Sequence, residues 1–181
     1  MIKHIKPTAT WEHLALPQSM LIKLRDIYRQ AKHRCRVSGR KSTIGNGLII
    51  LFSGQNDTGK TMAAEVLANE LRLDLCRVDL SAVVSKYVGE TEKNLRQVFD
   101  AAEVMGSVLF FDEADALFGK RTEVKNSHDR YASIEIDHLL QLIEAYEGVA
   151  ILTTKMKEVI DEAFLRRILY VIEFPIPQQR C

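Results

Sequence analysis

The chain is predicted to be an α/β protein built on a parallel sheet. Five short apolar runs alternate with longer segments whose apolar residues recur at three- and four-residue intervals, the pattern of strands separated by helices. The runs themselves are almost continuously apolar, as strands covered on both faces must be. With 181 residues, 46% of them apolar, the chain is long enough for one domain with a substantial core.

The elements follow in order. Between Ser19 and Cys35, residues Met20, Leu24, Ile27, Tyr28 and Ala31 share one face of an amphipathic helix, with Ser19 as a cap. After the loop VSGRKSTIGNG comes the buried strand LIILFSG, and the GK that follows opens the helix TMAAEVLANEL. The alternation then repeats: strand LCRVDL, helix TEKNLRQVFDAAEVM, strand VLFFD, helix DRYASIEIDHLLQLIEAYE, strand VAILTT, helix DEAFLRRI and strand YVIEF. Right-handed crossovers between parallel strands place these helices on both faces of the sheet. No internal repeat interrupts the pattern, and FGKRTEVKNSH, residues 118–128, is the long loop.

Charge and cysteine content exclude several functions. Lys plus Arg number 25 and Asp plus Glu 24, so a net charge of +1 gives no broad attraction to nucleic acid or an anionic membrane. Cys35, Cys76 and Cys181 form no CxxC pair and show no metal-ligand spacing with a histidine, which suits a reducing cytoplasm. The start MIKHIKPTATWEH lacks the apolar core of a signal peptide, and Leu48 to Phe52 is too short to span a bilayer. A cytoplasmic location with no membrane partner is the expectation. The histidines form neither HxxxH nor HExxH, which removes support for a metal hydrolase.

Chemistry concentrates in GQNDTGKT, residues 54–61, which has GxxxxGK[ST] spacing between a strand and a helix. That spacing lets successive backbone N–H groups converge on phosphate oxygens at the positive end of the helix. Gly54 and Gly59 permit the turn, Lys60 can reach terminal phosphates and Thr61 can bind a magnesium ion. The phosphate-wrapping stretch is thus Gly54, Gln55, Asn56, Asp57, Thr58, Gly59, Lys60 and Thr61, with Met62 beyond it. In VLFFDEAD, Asp112 falls at the carboxyl end of a strand, the edge where open α/β sheets bind ligands. There Asp112 would hold hydrated magnesium and Glu113 would orient and deprotonate an attacking water.

From about Trp11 to Pro177 the chain resembles the AAA family of ATPases, ring-forming remodellers and unfoldases, through GQNDTGKT, SKYVGETEKNLRQVFD, FFDEADALFGKR and IDEAFLRR in this order. The resemblance implies a P-loop NTPase three-layer sandwich with a five-stranded parallel sheet, ATP and Mg2+ as cofactors, and a homo-oligomeric ring, a hexamer in the family. It implies that Lys86, Tyr87, Val88 and Gly89 form a pore loop in which Tyr87 grips a polypeptide client. It also implies that Arg166 and Arg167 form the arginine-finger region, acting on the nucleotide of a neighbouring subunit; as residues near a helix end they can instead favour its dipole. Residues 1–45 are expected to form an N-terminal helical segment on an ATPase core spanning 46–177, with 178–181 a tail.

Three departures from the family pattern bear on turnover. Asp57 stands where the family usually has glycine, adding a carboxylate beside a triphosphate, although aspartate tolerates left-handed backbone better than most residues. Lys155 stands where the family typically has a water-positioning asparagine, and an ammonium cannot accept a hydrogen bond from that water. The sequence stops at FPIPQQRC, before the family's helical lid, so the large ATPase subdomain alone is expected. The function expected is ATP hydrolysis in a ring, coupled to remodelling or unfolding of a protein. The alternative is a nucleotide-binding structural or regulatory ring subunit with little turnover. A nucleic-acid remodeller is disfavoured by the neutral charge and the aromatic pore loop.

Overall fold

The computed structural model describes residues 2–37, 47–79, 90–115, 137–160 and 162–176. Strand β1 (Ile2–Ile5) leads through a one-turn 3-10 helix (Trp11–His13) to α1 (Gln18–Val37). Then come β2 (Leu48–Ser53), α2 (Lys60–Leu71), β3 (Leu75–Asp79), α3 (Glu90–Met105) and β4 (Val108–Asp112). A helical stretch over residues 137–145 (α4) precedes β5 (Val149–Thr154), the short α5 (Glu162–Leu165) and β6 (Tyr170–Glu173).

The strands form one six-stranded sheet in the order β1-β3-β4-β5-β2-β6. All five expected strands are present and mutually parallel. The sixth, β1, pairs antiparallel with β3 at the edge, Ile2 opposite Val78 and Ile5 opposite Leu75. Four residues with two apolar positions are too short to show strand periodicity against the background of the chain.

Every residue of β2 and β5 is buried, the outcome that their unbroken apolar character requires. Because strand side chains alternate, β2 feeds two cores. Leu48, Ile50 and Phe52 pack with Leu24 and Ile27 of α1 and Leu67 of α2. Ile49 and Leu51 pack with Leu95 and Phe99 of α3 and with Leu139 and Ile143 of α4. Each such fully buried side chain contributes roughly 1.5–3 kcal/mol of apolar transfer. The result is a three-layer α/β structure that fixes the carboxyl ends of the parallel strands along one edge.

Two boundaries differ from the sequence expectation. Helix α1 starts at Gln18, and the Pro17 carbonyl accepts from the N–H groups of Met20 at 2.9 Å and Leu21 at 3.1 Å, so Ser19 lies inside the first turn rather than capping it. The helix expected over DEAFLRRI is cut to Glu162–Leu165. Its end tightens, the N–H of Arg167 donating to Phe164 at 2.9 Å, because Leu169 must already donate to the Ile49 carbonyl at 3.0 Å to align β6 beside β2. The pore-loop residues Lys86, Tyr87, Val88 and Gly89, and the loop 118–128, lie outside the described residues.

Tyr146 closes the layer under β4. Its buried hydroxyl donates to the Ser107 carbonyl at 2.6 Å, and burial pushes the phenol well above its ordinary titration range. Tyr146→Phe leaves that carbonyl unpaired and is expected to destabilise the fold by about 1–3 kcal/mol. Thermal unfolding checks this: a chain of this length should lose roughly 2–4 °C in Tm per kcal/mol.

Candidate functional site

The strand order creates the site. Although β5 follows β4 in the chain, it lies between β4 and β2, so Gly54, Asp112 and Thr154 end three parallel strands that run together. Above them opens a cleft of about 520 Å³. Asn56, Asp57, Gly59, Lys60, Thr61 and Met62 line one wall; Arg77, Asp112, Glu113, Asp115, Thr153, Thr154 and Lys155 line the other.

Backbone conformation shapes the loop wall. Gly54 has φ of +148°, and a Cβ there would lie 2.7 Å from the Phe174 carbonyl oxygen, so only glycine lets the chain leave β2 beside β6. Gly59 enters α2 at φ of +92°. Between them Asp57 adopts φ of +58°, the left-handed geometry that aspartate accepts at modest cost, and its side chain is exposed at the mouth. The Thr58 hydroxyl donates to the Gln55 carbonyl at 2.8 Å and braces the turn from inside. No acidic residue sits in the first turn of α2, leaving its positive end free to meet an anion.

Lys60 folds over this loop. Its ammonium donates to the carbonyls of Gly54 and Gln55, each at 2.5 Å. Burial pushes its pKa below the ordinary 10.5; Asp112, Asp115 and Asp57 oppose that shift, while the Lys155 charge adds to it. The loop thus concentrates one desolvated cation among N–H groups and a helix terminus, an arrangement suited to phosphate.

The acidic wall is held from beneath. The Thr153 hydroxyl donates to Asp112 Oδ1 at 2.9 Å, and Arg77 pairs with Asp112 Oδ2. Glu113 has φ of +56°, unusual for a residue with a side chain. Its N–H donates to Thr153 Oγ1 at 3.1 Å, and the Ala114 N–H donates to the Thr153 carbonyl at 2.7 Å, so neighbouring bonds over-determine this turn. The Glu113 carboxylate projects into the cleft and meets Lys155, Nζ to Oε1 3.8 Å.

Arg77, Thr153 and Asp115 belong to this wall and were not singled out from sequence. The available signal was local: an arginine interrupting the apolar run LCRVDL, and two adjacent hydroxyls ending VAILTT. Asp115 ties the strand ends together, accepting from the Thr154 hydroxyl at 2.6 Å and from the Lys155 N–H at 3.2 and 3.1 Å. Arg166 and Arg167 do not line the cleft; both are exposed in the turn after α5, and Arg167 pairs with Glu144 of α4. Among the described residues, no cluster of three His, Cys, Asp or Glu side chains could enclose a metal. No helix among them is long and apolar enough to cross a membrane.

A family model described as "ATPase family associated with various cellular activities (AAA)" matches residues 50–176. An uncharacterized AAA family ATPase, y4kL, of Sinorhizobium fredii is 37% identical over 131 residues, which cover 71% of this chain and 39% of that protein. The 26S proteasome regulatory subunit 6B homolog of Encephalitozoon cuniculi is 36% identical over 138 residues, covering 72% of this chain and 36% of that protein. A crystal structure of the FIGL-1 AAA domain in complex with ADP superposes with a TM-score of 0.73 at 25% identity, covering 98% of this chain and 59% of that one. The alignments thus take in less than half of the two relatives. Phosphate-loop geometry, strand order and the span of the family match agree, and the chain belongs to the AAA family of ATPases.

Proposed function

We propose that this chain binds ATP with magnesium in the cleft and, within a ring, couples ATP hydrolysis to remodelling or unfolding of a polypeptide. The observation that carries this reading is the convergence of the phosphate loop, Asp112 with Glu113, and the end of β5 on one cleft. A nucleotide complex of a similar AAA domain supports it, as do the proteasome regulatory relatives. Residues 46–177 would form the ATPase core, and the N-terminal segment 1–45 would join it, α1 packing on its face and β1 extending its sheet beside β3.

The donor set fits magnesium bound with a polyphosphate. Thr61 and Asp112 both line the cleft, one hydroxyl and one carboxylate, and magnesium sites of this kind take their remaining ligands from water and phosphate. When bound, the ion would neutralise charge on the phosphate oxygens. In this chain, Lys60 and the loop N–H groups would hold the phosphates, Thr153 and Arg77 would fix the orientation of Asp112, and Glu113 would take a proton from water. Arg166 and Arg167 would act on a neighbouring subunit's nucleotide, since neither reaches its own cleft. A hexameric ring would supply that neighbour, and Tyr87 with Lys86, Val88 and Gly89 would contact the client.

The Lys155–Glu113 pair favours a second reading, a ring subunit that binds nucleotide but turns over little. Steady-state ATP hydrolysis measured alongside calorimetric affinity separates the two: binding with sustained turnover supports the first, binding with negligible turnover in assembled rings the second.

Two substitutions address the departures from the family pattern. Asp57→Gly is expected to tighten ATP binding by about two- to five-fold, less than the bare Coulomb effect because water screens the loop mouth. Lys155→Asn is expected to raise the hydrolytic rate constant of assembled protein by several-fold, on the order of 1 kcal/mol in activation free energy. Affinity and rate in each variant check these outcomes; no change in either would make both departures neutral.

A further inference from the structure

We infer that Lys155 is a nucleotide-released latch on Glu113: it pairs with the carboxylate until a polyphosphate in the cleft draws its ammonium away, freeing Glu113 to act on water. The inference rests on the nucleotide-binding reading above and adds a regulatory step to it.

Both ends of the latch stand on fixed backbone. At one end, Thr153 holds the left-handed turn at Glu113 through its hydroxyl and carbonyl. At the other, the Asp115 carboxylate accepts the Lys155 N–H while also taking the Thr154 hydroxyl. Only the side chains are left to move. Their charged ends are 3.8 Å apart with side-chain exposures of 44% and 55%, a solvated pair that is weak enough to exchange.

The competing ligand is defined by the same cleft. Lys155 and Lys60 line it together. Phosphates drawn to Lys60 therefore enter the field of Lys155. Even with one magnesium ion bound, a triphosphate carries about two negative charges against one on Glu113, so at comparable distance the ammonium is drawn to the phosphate. Its flexible stem lets it move without displacing β5. A diphosphate places less charge beside Glu113 and releases the latch less completely.

The test is calorimetric binding of a magnesium-bound, non-hydrolysable ATP analogue and of magnesium ADP to the parent chain, Lys155→Ala, Lys155→Arg, Glu113→Gln and the Lys155→Ala/Glu113→Gln double variant. Lys155→Ala is expected to reduce the preference for the triphosphate over ADP by about five-fold, and Lys155→Arg to restore most of it. Breaking the latch from the other side, Glu113→Gln should tighten binding of the analogue, and should do so about two- to five-fold more with Lys155 present than with alanine in its place. That inequality reports Lys155–Glu113 attraction lost on binding, which repulsion between Glu113 and phosphate alone does not produce. Equal effects of Glu113→Gln in both backgrounds, or an unchanged triphosphate preference in Lys155→Ala, overturn the latch while leaving nucleotide binding intact. Failure of the parent to bind either nucleotide overturns both the latch and the reading on which it rests.

Discussion

Lys60→Ala is expected to lose measurable binding of magnesium ATP. The ammonium is the cation held within the loop, braced by the carbonyls of Gly54 and Gln55, and its removal takes away the positive charge beside the loop N–H groups while Asp57, Asp112 and Glu113 remain in the cleft. A charge-assisted hydrogen bond contributes roughly 1.5–3 kcal/mol, or about a 10- to 150-fold change in affinity, enough to carry micromolar binding out of calorimetric range. The variant also loses the brace across the loop, so its Tm should be recorded beside its affinity. A folded Lys60→Ala protein with parental affinity would remove the phosphate-loop assignment.

Glu113→Gln is expected to separate binding from turnover. The amide occupies the same volume on the same constrained turn but cannot accept the proton of water. Hydrolysis by an active, assembled preparation should therefore fall by about 10²- to 10⁴-fold. ATP affinity should be kept or tightened, because a negative charge has left the cleft. Single-turnover rates with calorimetry on the same sample make the comparison; an undiminished rate would show that another group takes the proton.

The fold was legible because its strands are buried on both faces. LIILFSG, VLFFD and VAILTT carry apolar runs that no exposed segment would tolerate, and all three pair in the parallel sheet. Strand β1 was hidden because an antiparallel edge strand needs few apolar residues. Its own residues Lys3 and His4 read as an ordinary polar terminus. The truncation of α5 was equally hidden. Glu162 to Ile168 reads as helix locally, and the pairing of β6 with β2, begun by the hydrogen bond from Leu169 to Ile49, takes the chain out of it.

In the candidate site, sequence spacing marked the groups that face a ligand and passed over the groups that hold them. GQNDTGKT and the DE of DEAD are contiguous, so the spacing of their ligand-facing groups is written within each segment. Arg77, Thr153 and Asp115 act through partners on other strands, and nothing in LCRVDL or VAILTT specifies that β5 inserts between β2 and β4. Lys155 was visible as an unexpected residue at the end of VAILTT. Its pairing with Glu113 depends on that same strand order and became readable in three dimensions.

The most direct test of the central claim, that one cleft at the carboxyl ends of β2, β4 and β5 binds ATP with magnesium, is a backbone amide NMR titration of the whole chain with that nucleotide. Saturable shifts are expected at residues 54–62, at Asp112 to Ala114 and at Thr154 to Lys155, with β1 and the body of α1 unaffected. Shifts centred elsewhere, or none at millimolar nucleotide with magnesium, would contradict it.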